Sequence, residues 1–233
     1  MSRVIVPLDV SSKQAAMSLV DRLGDQADFY KVGFELYTRS GPDVVRDLVE
    51  RGKQVFLDIK LHDIPNTVGR AVAVASELGV DLLTVHVSGG PSMMEAAAKA
   101  RGGDLKLLGV TVLTSLSPDE MSTVWAREIR SVREEVGRLA VLACDTGMNG
   151  VVASALEASW IRRHLGEDFL IVTPGIRPAG SDAGDQNRIA TPADALAAGA
   201  DYLVIGRPIT QATDPAAALA AVLREIDQAR LAS

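Results

Sequence analysis

Cysteine is almost absent: the 233 residues hold one, Cys144. An intrachain disulfide is therefore impossible, and no CxxC or Cys/His spacing suggests zinc. The run Val141-Leu142-Ala143-Cys144 reads as the apolar side of a helix, so Cys144 is expected to be a small core residue rather than a nucleophile. Aromatics are scarce at 4%, against 47% hydrophobic residues in all. An aliphatic, alanine-rich core is expected, with Val/Ile/Leu strands wrapped by Ala/Leu helices. Positive charge is not in excess. The net charge of -6 argues against a nucleic-acid surface, though not against a local cationic pocket for a small phosphate ester. No apolar run is long enough to span a membrane, and no signal peptide precedes the strand-like Val4-Ile5-Val6-Pro7-Leu8, so the chain reads as cytoplasmic. Linkers, repeats and low-complexity tracts are missing too. One domain over residues 1–233 is the simplest reading.

What is present is alternation. Strand-like segments fall at 4–9, 29–32, 54–60, 82–87, 106–113, 150–152, 169–173 and 202–205. Several are continuous apolar runs, as expected of parallel strands buried on both faces. Helix-like stretches lie between them, at 12–23, 43–51, 67–78 and 92–100 among others. Ser11-Ser12, Gly41-Pro42-Asp43 and Pro91-Ser92 mark starts, and Gly24, Gly52, Gly79 and Gly199 sit where helices stop. Eight βα units predict a (β/α)8 TIM barrel. An open doubly wound sheet is disfavoured, because no Gly-x-Gly-x-x-Gly follows the first strand. The sixth unit is unusual: residues 119–144 are long enough to cover more than one stretch of barrel wall.

Polar residues fall at the C-terminal ends of these strands. Asp9 ends the first, Lys31 lies in the second, and Asp58 and Lys60 end the third. His86 and Ser88 end the fourth, Thr114 and Ser115 follow the fifth, Arg177 follows the seventh and Gly206-Arg207 follows the eighth. Barrel active sites form at that rim, from several strand ends at once.

The densest cluster is Asp58-Ile59-Lys60-Leu61-His62-Asp63, after the apolar Val55-Phe56-Leu57. Side chains two apart on a strand share a face, so Asp58 and Lys60 are expected to point into the barrel together. A lysine held between carboxylates keeps its proton and delivers it to one place, which suits making or protonating a carbanion. The plain alternative is a structural salt bridge, but buried ion pairs are weak stabilisers. His62 is expected to face away from Lys60, His86 to point into the barrel mouth, and His164 to lie at a helix end. No His-x-x-x-His pairing supports a metal. Near the C-terminus, Val204-Ile205-Gly206-Arg207 reads as a strand, a glycine turn and a helix start. Gly206 lets a ligand approach the backbone, and Arg207 offers bidentate bonds to phosphate. The polar, glycine-containing stretch 176–188 is either a lid carrying Gln186 toward that phosphate or a surface loop with no role.

The chain resembles the orotidine 5'-monophosphate decarboxylase family over essentially its whole length. The match is carried by residues 56–67, which end in Ile64-Pro65-Asn66-Thr67, and by Val112-Leu113-Thr114-Ser115, Thr173-Pro174-Gly175-Ile176-Arg177-Pro178 and Ile205-Gly206-Arg207-Pro208-Ile209-Thr210. The Asp-x-Lys-x-x-Asp core alone is shared with relatives acting on sugar phosphates, and the Ile-Pro-Asn-Thr that follows narrows it. The resemblance implies conversion of orotidine 5'-monophosphate to uridine 5'-monophosphate and carbon dioxide, the last step of de novo pyrimidine synthesis. It implies no metal or organic cofactor, and a homodimer. Lys31, Asp58, Lys60 and Asp63 match the family's alternating charged network. Asp63 and Thr67 match residues that enter the partner's site. Asp9 and Lys31 match ribose contacts, Thr114 a pyrimidine contact, and Arg177, Gln186, Gly206 and Arg207 the phosphate grip. The rival within the fold is a magnesium-dependent sugar-phosphate enzyme with Asp58 as a metal ligand. A rival of another class is a nucleotide-binding protein without catalysis.

Overall fold

The structure is a computed structural model that describes residues 3–178 and 190–231. Eight parallel strands close into one barrel in sequence order: β1 (Val4–Pro7), β2 (Phe29–Gly33), β3 (Gln54–Leu61), β4 (Leu82–His86), β5 (Lys106–Val110), β6 (Gly150–Val152), β7 (Leu170–Thr173) and β8 (Tyr202–Val204). Closure is made by β1 on β8, with Val4 opposite Leu203 and Ile5 opposite Val204. That pairing rules out the open sheet. The helices are α1 (Lys13–Leu23), α2 (Phe34–Ser40), α3 (Asp43–Glu50), α4 (Pro65–Glu77), α5 (Pro91–Ala100), α6 (Pro118–Trp125), α7 (Val132–Asp145), α8 (Ala155–Leu165), α9 (Pro192–Ala197), α10 (Arg207–Thr210) and α11 (Pro215–Leu231). No helix among the described residues is long and apolar enough to cross a membrane.

Strand alternation divides the core into two layers. Ile5, Phe29, Phe56, Leu82, Leu108, Val172 and Val204 fill the barrel interior. Neighbours one residue along, such as Val4, Tyr30, Leu57, Leu83, Leu107, Ile171 and Leu203, face the helices. The interior is less purely aliphatic than composition suggests. Phe29 packs edge-on against Tyr202 at 5.5 Å, and Phe56 lies beside them in the same layer. Burying each phenylalanine contributes roughly 1.5–3 kcal/mol.

Element boundaries depart from the expectations for local reasons. The first strand stops at Pro7, so Asp9 lies just beyond it. The fifth stops at Val110 because its partner β6 runs out at Val152, which leaves Thr111–113 past the ladder. The fourth helix begins at Pro65, two residues before Thr67, since proline suits the first helical position. The long sixth connection is two helices, broken where Ala126 takes a left-handed φ of 50°. Cys144 lies on α7 and is half-buried rather than fully enclosed, and burial pushes its thiol upward.

Candidate active site

Four charged side chains of alternating sign meet at the C-terminal rim of β1 to β3. Lys31 Nζ lies 3.0 Å from Asp9 Oδ1 and 3.7 Å from Asp58 Oδ2. Lys60 Nζ donates to Asp58 Oδ1 at 2.8 Å. The inner pair is sheltered: the side chains of Lys31 and Asp58 are 12% and 14% exposed, while Asp9 is 67% exposed. Lys60 is 37% exposed, so both ends of the chain of charges are open and its middle is sheltered, with Asp58 held between two ammonium groups.

The backbone that delivers Lys60 is irregular. Pairing of β3 with β4 jumps from Leu57 opposite Leu83 to Leu61 opposite Val85. Lys60 itself adopts φ 50°, a left-handed conformation that costs a non-glycine residue about 1–2 kcal/mol. Alternation nonetheless survives, because Leu57, Ile59 and Leu61 all pack toward the helices. Asp58 and Lys60 thus share the inner face, as expected. Thr84 on β4 holds this bend: its hydroxyl accepts from the Lys60 N–H at 2.9 Å and donates to Asp58 Oδ1 at 3.1 Å.

Lys31, Asp58 and Lys60 line one side of a cavity of about 160 Å³. Val110, Thr114 and Pro174, from the ends of β5 and β7, supply much of the rest. A charged wall thus faces a largely apolar one, which suits a flat, polar-edged ring. His86 ends β4 beside this cluster. Its ring lies 5.3 Å from that of His62, so His62 turns toward His86 although its own position is exposed. Burial, the His62 ring and the Lys60 charge hold His86 below the usual histidine range. His164 sits in the last turn of α8, stacked on Trp160 at 3.9 Å and far along the chain from this rim.

A family model described as the orotidine 5'-phosphate decarboxylase / HUMPS family matches residues 2–222. The chain belongs to this family. An orotidine 5'-phosphate decarboxylase of Vibrio parahaemolyticus is 51% identical over 94% of the chain and 95% of that protein. Another, from Moorella thermoacetica, is 49% identical over 98% of the chain and 93% of that protein. The crystal structure of orotidine 5'-phosphate decarboxylase from Lactobacillus acidophilus superposes with a TM-score of 0.87 at 38% identity, covering 97% of the chain and all of that one.

Within this family frame, Asp9, Lys31, Asp58, Lys60 and Thr114 come together at one rim. Asp63 does not join them: its carboxylate accepts the N–H of Ile64 at 2.6 Å and is exposed. Thr67 lies in the first turn of α4, beside the exposed Ile64. Gly206 precedes α10, whose first residue, Arg207, is exposed. Arg177 is buried, with Nη1 donating to the Ile176 carbonyl at 3.0 Å. Gln186 lies outside the described residues.

Two contributors escape the sequence reading. Thr84 sits mid-strand and resembles any apolar-run threonine until β4 is laid beside β3. Gly33 closes β2, and a Cβ there would stand 3.0 Å from Lys31 Nζ and 3.2 Å from Asp9 Oδ1. The signal for Gly33 was present, as a glycine two residues after a rim lysine on the same strand face.

Proposed function

We propose that the chain decarboxylates orotidine 5'-monophosphate to uridine 5'-monophosphate and carbon dioxide without metal or organic cofactor. The observation that carries this reading is the Lys31–Asp58–Lys60 cluster at the cavity wall. Loss of carbon dioxide breaks the bond from C6 to the carboxylate carbon and leaves the electron pair on C6, where the ring gives little resonance relief. A fixed ammonium beside C6 stabilises that charge and then supplies the proton that completes the product. Lys60 takes both roles. Asp58, tied to both lysines, holds Lys60 in place and faces the departing carboxylate.

Asp9 and Lys31 are assigned to the ribose, Thr114 to the pyrimidine, and Arg177, Gln186, Gly206 and Arg207 to the phosphate. Phosphate binding far from C6 supplies energy that holds the reactive geometry. The active enzyme is a homodimer, in which Asp63 and Thr67 complete the partner's site. The outward turn of Asp63 supports this, as does the exposed Ile64 between them.

The test is the ultraviolet absorbance of orotidine 5'-monophosphate mixed with the purified protein in excess chelator. Loss of the substrate band with formation of uridine 5'-monophosphate is the expected result. No loss there, with magnesium-dependent turnover of a sugar phosphate instead, would move the chain to another activity on this fold. Binding of uridine 5'-monophosphate without turnover of either substrate would make it a binding protein.

A further inference from the structure

We propose that Thr84 is a positioning residue for the Lys60 centre, its hydroxyl tying the Asp58 carboxylate to the Lys60 backbone and so fixing where the Lys60 ammonium points. The inference rests on the reading of Lys60 and Asp58 as the reacting pair. A hydroxyl has one proton to donate and lone pairs to accept with. Thr84 spends the proton on Asp58 Oδ1 and accepts the N–H of Lys60. Asp58 Oδ1 in turn accepts from Lys60 Nζ. The three bonds close a ring, from the Lys60 backbone through Thr84 and Asp58 to the Lys60 side chain. Every rotation that would swing the ammonium away must break one of them.

The place of this ring in the sheet is what gives it consequence. The β3–β4 ladder loses its register between Leu57 and Leu61, and Lys60 stands there at φ 50°. At this gap the Lys60 N–H meets the Thr84 hydroxyl. Other buried threonines behave differently. Thr111 donates to the Val152 carbonyl, and Thr146 donates to the carbonyls of Leu142 and Ala143. Those bonds satisfy a polar group inside a core. Both bonds of Thr84 go to the charged pair across the sheet, from a side chain with no solvent exposure.

The test compares Thr84→Val, which keeps the shape and deletes the hydroxyl, with Thr84→Ser, which keeps the hydroxyl and deletes a methyl. The readouts are kcat and KM for orotidine 5'-monophosphate, the Kd of uridine 5'-monophosphate by calorimetry, and the melting temperature. Thr84→Val is expected to lower kcat by about 10- to 100-fold, the worth of a hydrogen bond to a charged group. Its KM and product Kd are expected to stay within about threefold of the starting protein, because rigid positioning acts on the transition state. Thr84→Ser is expected to restore most of kcat. Unchanged kcat in Thr84→Val would overturn the proposal. Equal losses in both variants would overturn it too, since packing rather than the hydroxyl would then be at work. So would a loss of product affinity in step with kcat. An unsubstituted protein that turns over no orotidine 5'-monophosphate marks the failure of the decarboxylase reading and takes the proposal with it. Normal turnover beside an indifferent Thr84→Val marks the failure of this proposal alone.

Discussion

At the scale of single residues, the site is governed by what stands next to each charge. Lys31 meets Asp9 directly over Gly33, from which nothing projects. A methyl there would press on the tips of two flexible side chains rather than on backbone, so the fold can absorb it while the ion pair must shift. Gly33→Ala is therefore expected to melt within a few degrees of the unsubstituted protein while kcat/KM for orotidine 5'-monophosphate falls by about tenfold, the cost of roughly 1.4 kcal/mol in transition-state binding. Steady-state kinetics beside a melting curve checks it. Full activity in this variant would show that the Lys31–Asp9 contact is dispensable. The same scale explains what was legible in sequence. Asp58 and Lys60 share a face by simple alternation, and so were readable. Thr84 was not, because its partners lie 24 and 26 residues away and only strand pairing brings them together.

At the scale of elements, all eight strands were legible in the βα alternation, several of them as continuous apolar runs because they are covered on both faces. Their ends were less so. A strand stops where its neighbour stops, as β5 does beside the three-residue β6, and that is a property of pairs. The irregularity in β3 was invisible for the same reason. β6 is tightly packed at Gly150. A Cβ on Gly150 would stand 2.2 Å from the Leu170 carbonyl oxygen and 2.5 Å from Leu170 Cβ on the adjoining strand. Backbone cannot yield as a side-chain tip does. Gly150→Ala is expected to cost about 3 kcal/mol or more, at the upper end of overpacking penalties. Thermal unfolding should drop by roughly 6–12 °C, at about 2–4 °C per kcal/mol for a chain of this size. A melting curve unmoved by the substitution would mean that β6 and β7 lie further apart than described.

At the scale of the whole molecule, three large apolar side chains are exposed on the elements that follow β2 and β3. Phe34 is 69% exposed, Ile64 65% and Val74 53%. Large apolar groups left in water suit burial against another copy, as in the proposed dimer. The composition gave no hint of this surface, because the same residue types fill the core. The sharing of sites proposed above makes a quantitative prediction. Lys60→Ala and Asp63→Asn homodimers each lack one member in both sites. A heterodimer of the two places both defects in one site and leaves the other intact. Mixing the inactive variants in equal amounts, with exchange of subunits, is expected to recover about a quarter of the activity of the unsubstituted protein by random pairing. Recovery of none, with exchange verified, would confine each site to one chain.

In the proposed mechanism Lys60, held by Asp58 and Thr84 at the rim of β3, carries the chemistry rather than the binding. The most direct measurement is the turnover of orotidine 5'-monophosphate by Lys60→Ala, taken together with its affinity for uridine 5'-monophosphate. Turnover is expected to fall beyond about 10³-fold, the upper range for deleting one preorganised group at a developing charge, with product binding retained. Near-normal turnover, or turnover and binding lost in equal measure, would contradict it.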